Sequence, residues 1–317
     1  MHELPWHPSA SIELLRQRAQ FIAKIRQFFS SRHYLEVETP IMAQFGVTDV
    51  YLSNIKATFR GRSYCLQTSP EYHMKRLLAA GSGPIFQLAR VFRDDELGRW
   101  HNPEFTLLEW YQLGIDHHAL MVEMDLLLQT LLQTEPMIKK TYQEAFIESC
   151  ELDPFTASID QFKNVLLNNQ LDTVLSSQEQ DRDQYLFLLM SHVVEPFLGK
   201  VNSPVAVYDF PPSQASLAKI QNGVAERFEV YYQGVELANG FHELTDVHAQ
   251  AKRFVQDNDL RKQHGLPAAE ADHYLLQALE HGLPSCSGVA LGVDRLLALA
   301  LDQPGIANIL SFDFSRA

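Results

Sequence analysis

The chain has 317 residues, 46% hydrophobic and 21% charged, which suits a globular protein of one large α/β domain or two small ones and excludes a disordered or collagen-like chain. Its 26 basic and 39 acidic residues leave a formal charge of −13 with no basic run, so a partner gripped mainly by its phosphate backbone is not expected. Cys65, Cys150 and Cys286 lack paired spacing and read as reduced, packed thiols; the start of the chain shows no signal-peptide pattern, and the apolar run near Ala290 to Leu301 is broken by Asp294 and Arg295, so a cytoplasmic protein without a membrane partner is expected.

Residues 9–34 place Ile12, Leu15, Ile22, Ile25 and Phe29 on a helical repeat, with Ser9 or Ser11 able to cap it. Leu35-Glu36-Val37-Glu38-Thr39 then alternates like a half-buried strand and stops at Pro40. Residues 85–93 and 104–111 predict two strands joined by the polar loop DDELGRWHNP. In the second, Phe105, Leu107, Glu109 and Tyr111 share a face by parity, and a carboxylate and a phenol beside apolar residues suit the floor of a pocket. Residues 115–200 carry ordinary core-helix patterns.

Residues 226–237 predict a hairpin turning at Gln233-Gly234, with Tyr231 facing Glu236 and Glu229 on the same side. Helices are expected over 246–264 and 268–281, followed by a glycine-spaced strand, 288–292, and a helix opening at Asp294-Arg295. No repeat or linker interrupts the chain, so a single domain over 1–317 with a helical insertion at about 115–200 is the simplest organisation.

Three of these elements could act on one ligand. Arg93 ends a strand, Arg295 opens a helix whose N-terminus already favours anions, and Glu229 and Glu236 could hold a hard divalent cation. Two arginines and two carboxylates are what a triphosphate and its metal require, although each alone also reads as an ordinary salt bridge. No P-loop is present, and Gly288-Val-Ala-Leu-Gly292 has alanine at the middle glycine of a dinucleotide fingerprint, so ATP is expected on an antiparallel sheet. His242 and His248, six residues apart, lack metal-ligand spacing.

The segment ARVFRDDELGRWHNPEFTLLEWY resembles motif 2 of class II aminoacyl-tRNA synthetases of the lysyl branch, GVALGVDRLL resembles motif 3, and FFSSRHYLEVETPIM resembles the dimer-forming motif 1. SPEYHMKRLLAAG and GVELANGFHEL resemble the lysine-pocket segments of lysyl-tRNA synthetase. The resemblance implies an α/β (α+β) fold, the class II catalytic core with an antiparallel sheet flanked by helices, and a homodimer. It implies that Arg93 meets the α-phosphate and Arg295 the γ-phosphate, as the catalytic pair. Phe105 would stack on adenine, with Asp94, Asp95, His101, Asn102, Leu237 and Gly292 completing the ATP site and Glu229 and Glu236 holding Mg2+. Ser69, Pro70, Glu71, Glu109, Tyr111, Asn239, Glu243 and Ala290 would form the amino-acid pocket, whose three carboxylates imply a substrate with two cationic amines.

Three departures redirect this reading. Motif 1 begins within the first few dozen residues, leaving no room before it for an anticodon-binding domain. Trp100 and Asp95 replace the arginine and glutamate of the motif 2 loop, where Arg99 offers a substitute. Ala290 replaces the middle glycine of motif 3, and the added methyl reshapes the pocket by about 1–3 kcal/mol of discrimination. The departures resemble a paralogous family of stripped-down lysyl-tRNA synthetases that activate (R)-β-lysine with ATP and acylate a lysine of elongation factor P, without tRNA. A truncated enzyme that charges tRNA or a small acceptor, and a non-catalytic amino-acid-binding regulator, are the alternatives. The regulator is disfavoured because Arg93, Arg295, Glu229 and Glu236 are all present.

Overall fold

The computed structural model describes residues 6–94 and 97–317. In chain order it contains α1 (Ile12–Ser30), β1 (Leu35–Glu36), β2 (Met42–Ala43), β3 (Lys56–Phe59), β4 (Arg62–Leu66), α2 (Glu71–Ala79), β5 (Ile85–Phe92) and β6 (Glu104–Leu113). There follow α3 (His117–Leu132), β7 (Ile138–Thr141), α4 (Tyr142–Cys150), α5 (Ile159–Asn168), α6 (Arg182–Leu189), α7 (Glu195–Leu198), β8 (Val205–Phe210), β9 (Ile220–Gln221), β10 (Val224–Tyr232) and β11 (Val235–His242). The chain ends with α8 (Val247–Gln263), α9 (His273–Gly282), β12 (Cys286–Gly292) and α10 (Val293–Ala300). These elements form two compact units, one of residues 1–116 with 243–317 and one of residues 117–242.

In the first unit the strands run in the order β1-β5-β6-β12. β5 and β12 flank β6 antiparallel, whereas β1 joins β5 in parallel, so the expected antiparallel sheet is mixed at this edge. β1 is only two residues long and both are exposed, so the half-buried alternation expected for 35–39 is not seen at Leu35, and the ladder ends where Val37 N–H meets the carbonyl of Phe86. On one face of the sheet Phe29 of α1 stacks on Phe86 at 4.7 Å and leans on Trp110. Ser11 caps α1 by accepting from Leu14 N–H, which settles the choice between the two candidate caps. On the other face Met74 and Leu78 of α2 and Leu275 and Leu279 of α9 pack against Ile85, Tyr111 and Cys286. Helix α9 starts at His273, later than expected, because Asp272 takes the backbone N–H of Tyr274 and Leu275 as its cap. Cys65 and Cys286 are buried free thiols.

In the second unit the order is β11-β10-β8-β7, with β9 beside β10; β7 and β8 are parallel and the rest antiparallel. β7 adds a strand to 115–200, where helical patterns dominate as expected. Its last residue, Thr141, caps α4 in a reciprocal box with Glu144. Helices α6 and α7 are separated by a π turn over Met190–Val194, next to Pro196, which has no N–H to give to a regular helical ladder. Tyr142, Phe146, Phe162, Tyr185, Phe210 and Tyr231 dominate this unit's core.

Candidate active site

The floor expected from parity in β6 is present, and its neighbours fill out three rows across the sheet. Ile85, Tyr111 and Gly288 stand in one row, Gln87, Glu109 and Ala290 in the next, and Ala89, Leu107 and Gly292 in the third. Phe105 and Ala290 pack with Ala89, Val91 and Leu107, so the floor is apolar at one end and acidic at the other. Gly288 is required by close approach. A Cβ there would lie 2.2 Å from Tyr111 Cε1 and 2.8 Å from Glu243 Oε1.

The acidic end is almost dry. Glu109 and Glu243 are each only 2% exposed. Ser69 Oγ and Tyr111 Oη each donate to a different oxygen of Glu109 at 2.7 Å. Ser69 also accepts the backbone N–H of Glu71, which fixes the start of α2, while Pro70 precedes that helix without a side-chain cap bond. One turn along α2, buried Lys75 donates to Glu71 Oε1 and lies the same 2.6 Å from Glu243 Oε2.

Burial, then the charge of Glu71, pushes the carboxyl of Glu109 up to about 8 against the pull of its two hydroxyl donors. Burial likewise pushes Glu243 up to about 8, with Lys75 opposing. Burial disfavours the charged ammonium of Lys75, but Glu243 and Glu71 outweigh it and hold its pKa above the ordinary lysine value. Three acids against one ammonium leave the fully ionised cluster two negative charges in excess. Gln87 Oε1, in the Glu109 row, is a further buried acceptor that meets no protein donor.

Neither Lys75 nor Gln87 stood out in the sequence. The signals were available: Glu71 and Lys75 have the i,i+4 spacing of a helical ion pair, and Gln87 has the same strand parity as Ile85 and Ala89.

The residues expected around ATP in this unit surround the motif 2 loop. Arg93 follows β5, its backbone N–H bonded to the carbonyl of Pro103 at 3.0 Å and its guanidinium 5.1 Å from the Phe105 ring centre. Arg295, in the first turn of α10, bonds the Trp100 carbonyl at 3.1 Å and His101 Nε2 at 2.6 Å. Because a guanidinium only donates, this His101 nitrogen accepts. Asp294 anchors α10 to β6 through Thr106 N–H at 2.8 Å and to Arg18 of α1 at 2.6 Å. Gly292, the residue before α10, presents no side chain there.

Two residues have different surroundings from those expected. Asn102 receives the Phe314 N–H and donates to the Glu104 carbonyl, tying the loop to the chain's end. Arg99 donates to the Pro304 carbonyl and lies over Trp100, so its guanidinium is already engaged by the loop's own neighbours. Asp94 N–H bonds the Ser53 carbonyl, and Asp95 lies outside the described residues.

In the second unit, β10 and β11 turn at Gln233 (φ 50°) and Gly234 (φ 74°), the left-handed pair of a two-residue hairpin turn. Tyr231 pairs with Glu236 as expected, and Glu229 pairs with Asn239. Tyr231 Oη and Arg227 each donate to Glu229, and Arg227 also reaches Asn239 Oδ1 at 3.2 Å, so Arg227 orients both residues. Glu229 and Glu236 both raise the pKa of buried Tyr231, behind the effect of burial itself. Carboxylates are the hard oxygen donors that magnesium accepts, and Glu229 and Glu236 are of that type, although both Glu229 oxygens are engaged by Arg227 and Tyr231. Leu237, between them and Asn239, is buried.

Residues 6–316 match the family of class II tRNA synthetases (D, K and N). The chain is also 52% identical to an elongation factor P–(R)-β-lysine ligase of Pasteurella multocida over 98% of both chains. Ligases of the same name from Histophilus somni and Salmonella typhi are 52% and 51% identical, again over 98% of each chain.

Proposed function

We propose a function from the family to which the chain belongs, the class II tRNA synthetases (D, K and N): it activates (R)-β-lysine as an adenylate and transfers the β-lysyl group to a lysine ε-amine of elongation factor P. The observation that carries the substrate class is the buried cluster of Glu71, Glu109 and Glu243 around Lys75. Its excess of two negative charges matches a substrate with two ammonium groups, and its dryness penalises any ligand that cannot supply them.

In the first step a carboxylate oxygen of β-lysine attacks the α-phosphorus of ATP. The bond to the bridging oxygen breaks and pyrophosphate leaves. Arg93 meets the α-phosphate and draws off the charge that grows there; Arg295 holds the γ-phosphate at a helix N-terminus. Phe105 stacks on adenine, with His101 and Gly292 beside the nucleotide. Glu229 and Glu236 would be the residues to hold magnesium, which would supply charge that offsets phosphate. Glu109, Tyr111 and Glu243 surround the far ammonium, and Glu71 and Ser69 meet the near one. In the second step the acceptor's neutral amine attacks the acyl carbon, the bond from that carbon to the phosphate oxygen breaks, AMP leaves and the amine's proton goes to solvent, which needs no nucleophile from this chain.

A chain of net charge −13 supports a protein acceptor over tRNA. Exposed Leu35, Ile41 and Met42 in motif 1 support a homodimer through that segment, and no helix among the described residues is long and apolar enough to cross a membrane, in keeping with cytoplasmic action. The test is intact-mass analysis of elongation factor P incubated with the chain, ATP and (R)-β-lysine. One added lysyl group on a lysine is expected. Efficient charging of tRNA with elongation factor P left unmodified would overturn the reading.

A further inference from the structure

The second unit holds another set of ligand-type side chains, none of which is assigned to substrate or nucleotide. One ring nitrogen each of His117 and His242 and one carboxylate oxygen of Glu226 lie within 4.8 Å of one another. They come from the first turn of α3 and from opposite strands of the β10–β11 hairpin. Strand alternation sets His242 on the opposite face of β11 from Asn239.

His117 is buried, and its two nitrogens are treated differently. Nε2 lies 3.2 Å from Asp209 Oδ1, while Nδ1 is buried with no hydrogen-bond partner. An imidazole held by a carboxylate through one nitrogen, with the other nitrogen bare, is the arrangement that orients histidine toward a metal. Asp209 itself sits in the left-handed region at φ 61°, an unfavourable backbone state for a non-glycine residue. Opposite, His242 Nδ1 and Glu226 Oε2 are hydrogen-bonded at 2.5 Å.

The geometry points to a divalent transition-metal site, of the zinc class, with His117, His242 and Glu226 as ligands and Asp209 as the residue that positions His117. Two imidazoles and a carboxylate suit zinc better than magnesium, which prefers oxygen donors throughout. Tetrahedral bonds of about 2 Å place ligand atoms about 3.3 Å apart, so the group closes by small side-chain movements. The metal pins the start of α3 to the hairpin. Lys219, 4.0 Å from Glu226, is the nearby cation that opposes it.

The experiment uses the full, tag-free chain, stripped with chelator and titrated with Zn2+ alone, read by elemental analysis and by calorimetry against a competing chelator. One zinc per chain is expected, with a raised Tm. Asp209→Asn, which keeps an amide able to adopt the same backbone, weakens affinity about tenfold to hundredfold. His117→Gln with His242→Gln abolishes the stoichiometric site, with circular dichroism confirming that the variant remains folded. Failure of the native chain to retain one zinc, or undiminished binding in the folded double variant, overturns the proposal. A folded Glu226→Gln variant that binds zinc as tightly as the native chain overturns it as well.

Discussion

The acidic pocket couples substrate binding to pH, and the size of the coupling follows from its burial. Glu109 and Glu243 are held at about 8, first by burial and then, for Glu109, by the charge of Glu71. A dication binds the ionised form, so each of the two carboxylates must lose its proton as the ligand enters. For a group of pKa 8 the ionised fraction rises from about 9% at pH 7 to about 50% at pH 8, so affinity rises roughly fivefold per carboxylate over that interval. Both together give a gain of about twenty-five- to thirtyfold, flattening above pH 8 before the substrate's own amines deprotonate. Lys75 stays charged throughout, because its two carboxylate partners hold its pKa above the ordinary value. Calorimetry of β-lysine binding between pH 6.5 and 8.5, in buffers of different ionisation enthalpy, reads both affinity and protons released. Glu109→Gln should remove one proton from the count and flatten part of the slope. Affinity independent of pH, with no proton release, would refute a dry pocket whose acids are held partly neutral.

The same shifts set the sign of a stability effect. The folded pKa of Glu109 lies above its unfolded value, so its contribution is fully present below about 4.5 and is lost as pH rises toward 8. The Tm of the ligand-free chain should therefore fall from pH 5 to pH 8, and fall less in Glu109→Gln. Lys75→Met strands Glu71 and Glu243 without their cation and should cost about 3–5 kcal/mol in urea unfolding at neutral pH, as breaking a buried ion pair does. Gly288→Ala drives a methyl into Tyr111 and should cost about 1–3 kcal/mol and raise the KM for the amino acid, read by denaturation and pyrophosphate exchange. Ala290→Gly opens the row that contains Glu109 and should shift activation toward α-lysine; an unchanged ratio in pyrophosphate exchange would count against the methyl as a shape filter. Arg295→Ala should weaken ATP binding tenfold to about a hundredfold, as loss of charged hydrogen bonds does, with β-lysine binding little changed in calorimetry.

What could be read from the chain was local periodicity and turn chemistry. Alternation in β6 set Glu109 and Tyr111 on one face, and Gln233-Gly234 fixed which residues oppose each other in the hairpin. These features are decided within a few residues, where the backbone leaves few options. The parallel edge at β1 and the strand β7 were hidden because each needs a distant partner: two residues of Leu35–Glu36 gain strand character only beside Ile85 and Phe86. Lys75 was missed for the same kind of reason. On a helical wheel it is one more basic residue of KRLL, and only the chain's return at Glu243 turns it into a buried counter-ion.

That omission bears on the chemistry. Counted from the sequence alone, three pocket carboxylates would balance a substrate of charge +3, yet the expected ligand offers only two ammonium groups at this end. With Lys75 included the excess is two, and the ligand fits. Lys75 also gives the pocket a way to persist without ligand. One internal ammonium bridges Glu71 and Glu243, while Glu109, held by Ser69 and Tyr111, and Glu243 relieve the remaining repulsion by taking up protons. A pocket with all three acids and no lysine would have to protonate more of them to stay folded, and each proton would then oppose the incoming amine. The buried cation therefore lowers the number of protons that must leave on binding, which is why its removal should harm affinity for a dication even though it removes a like charge from the site.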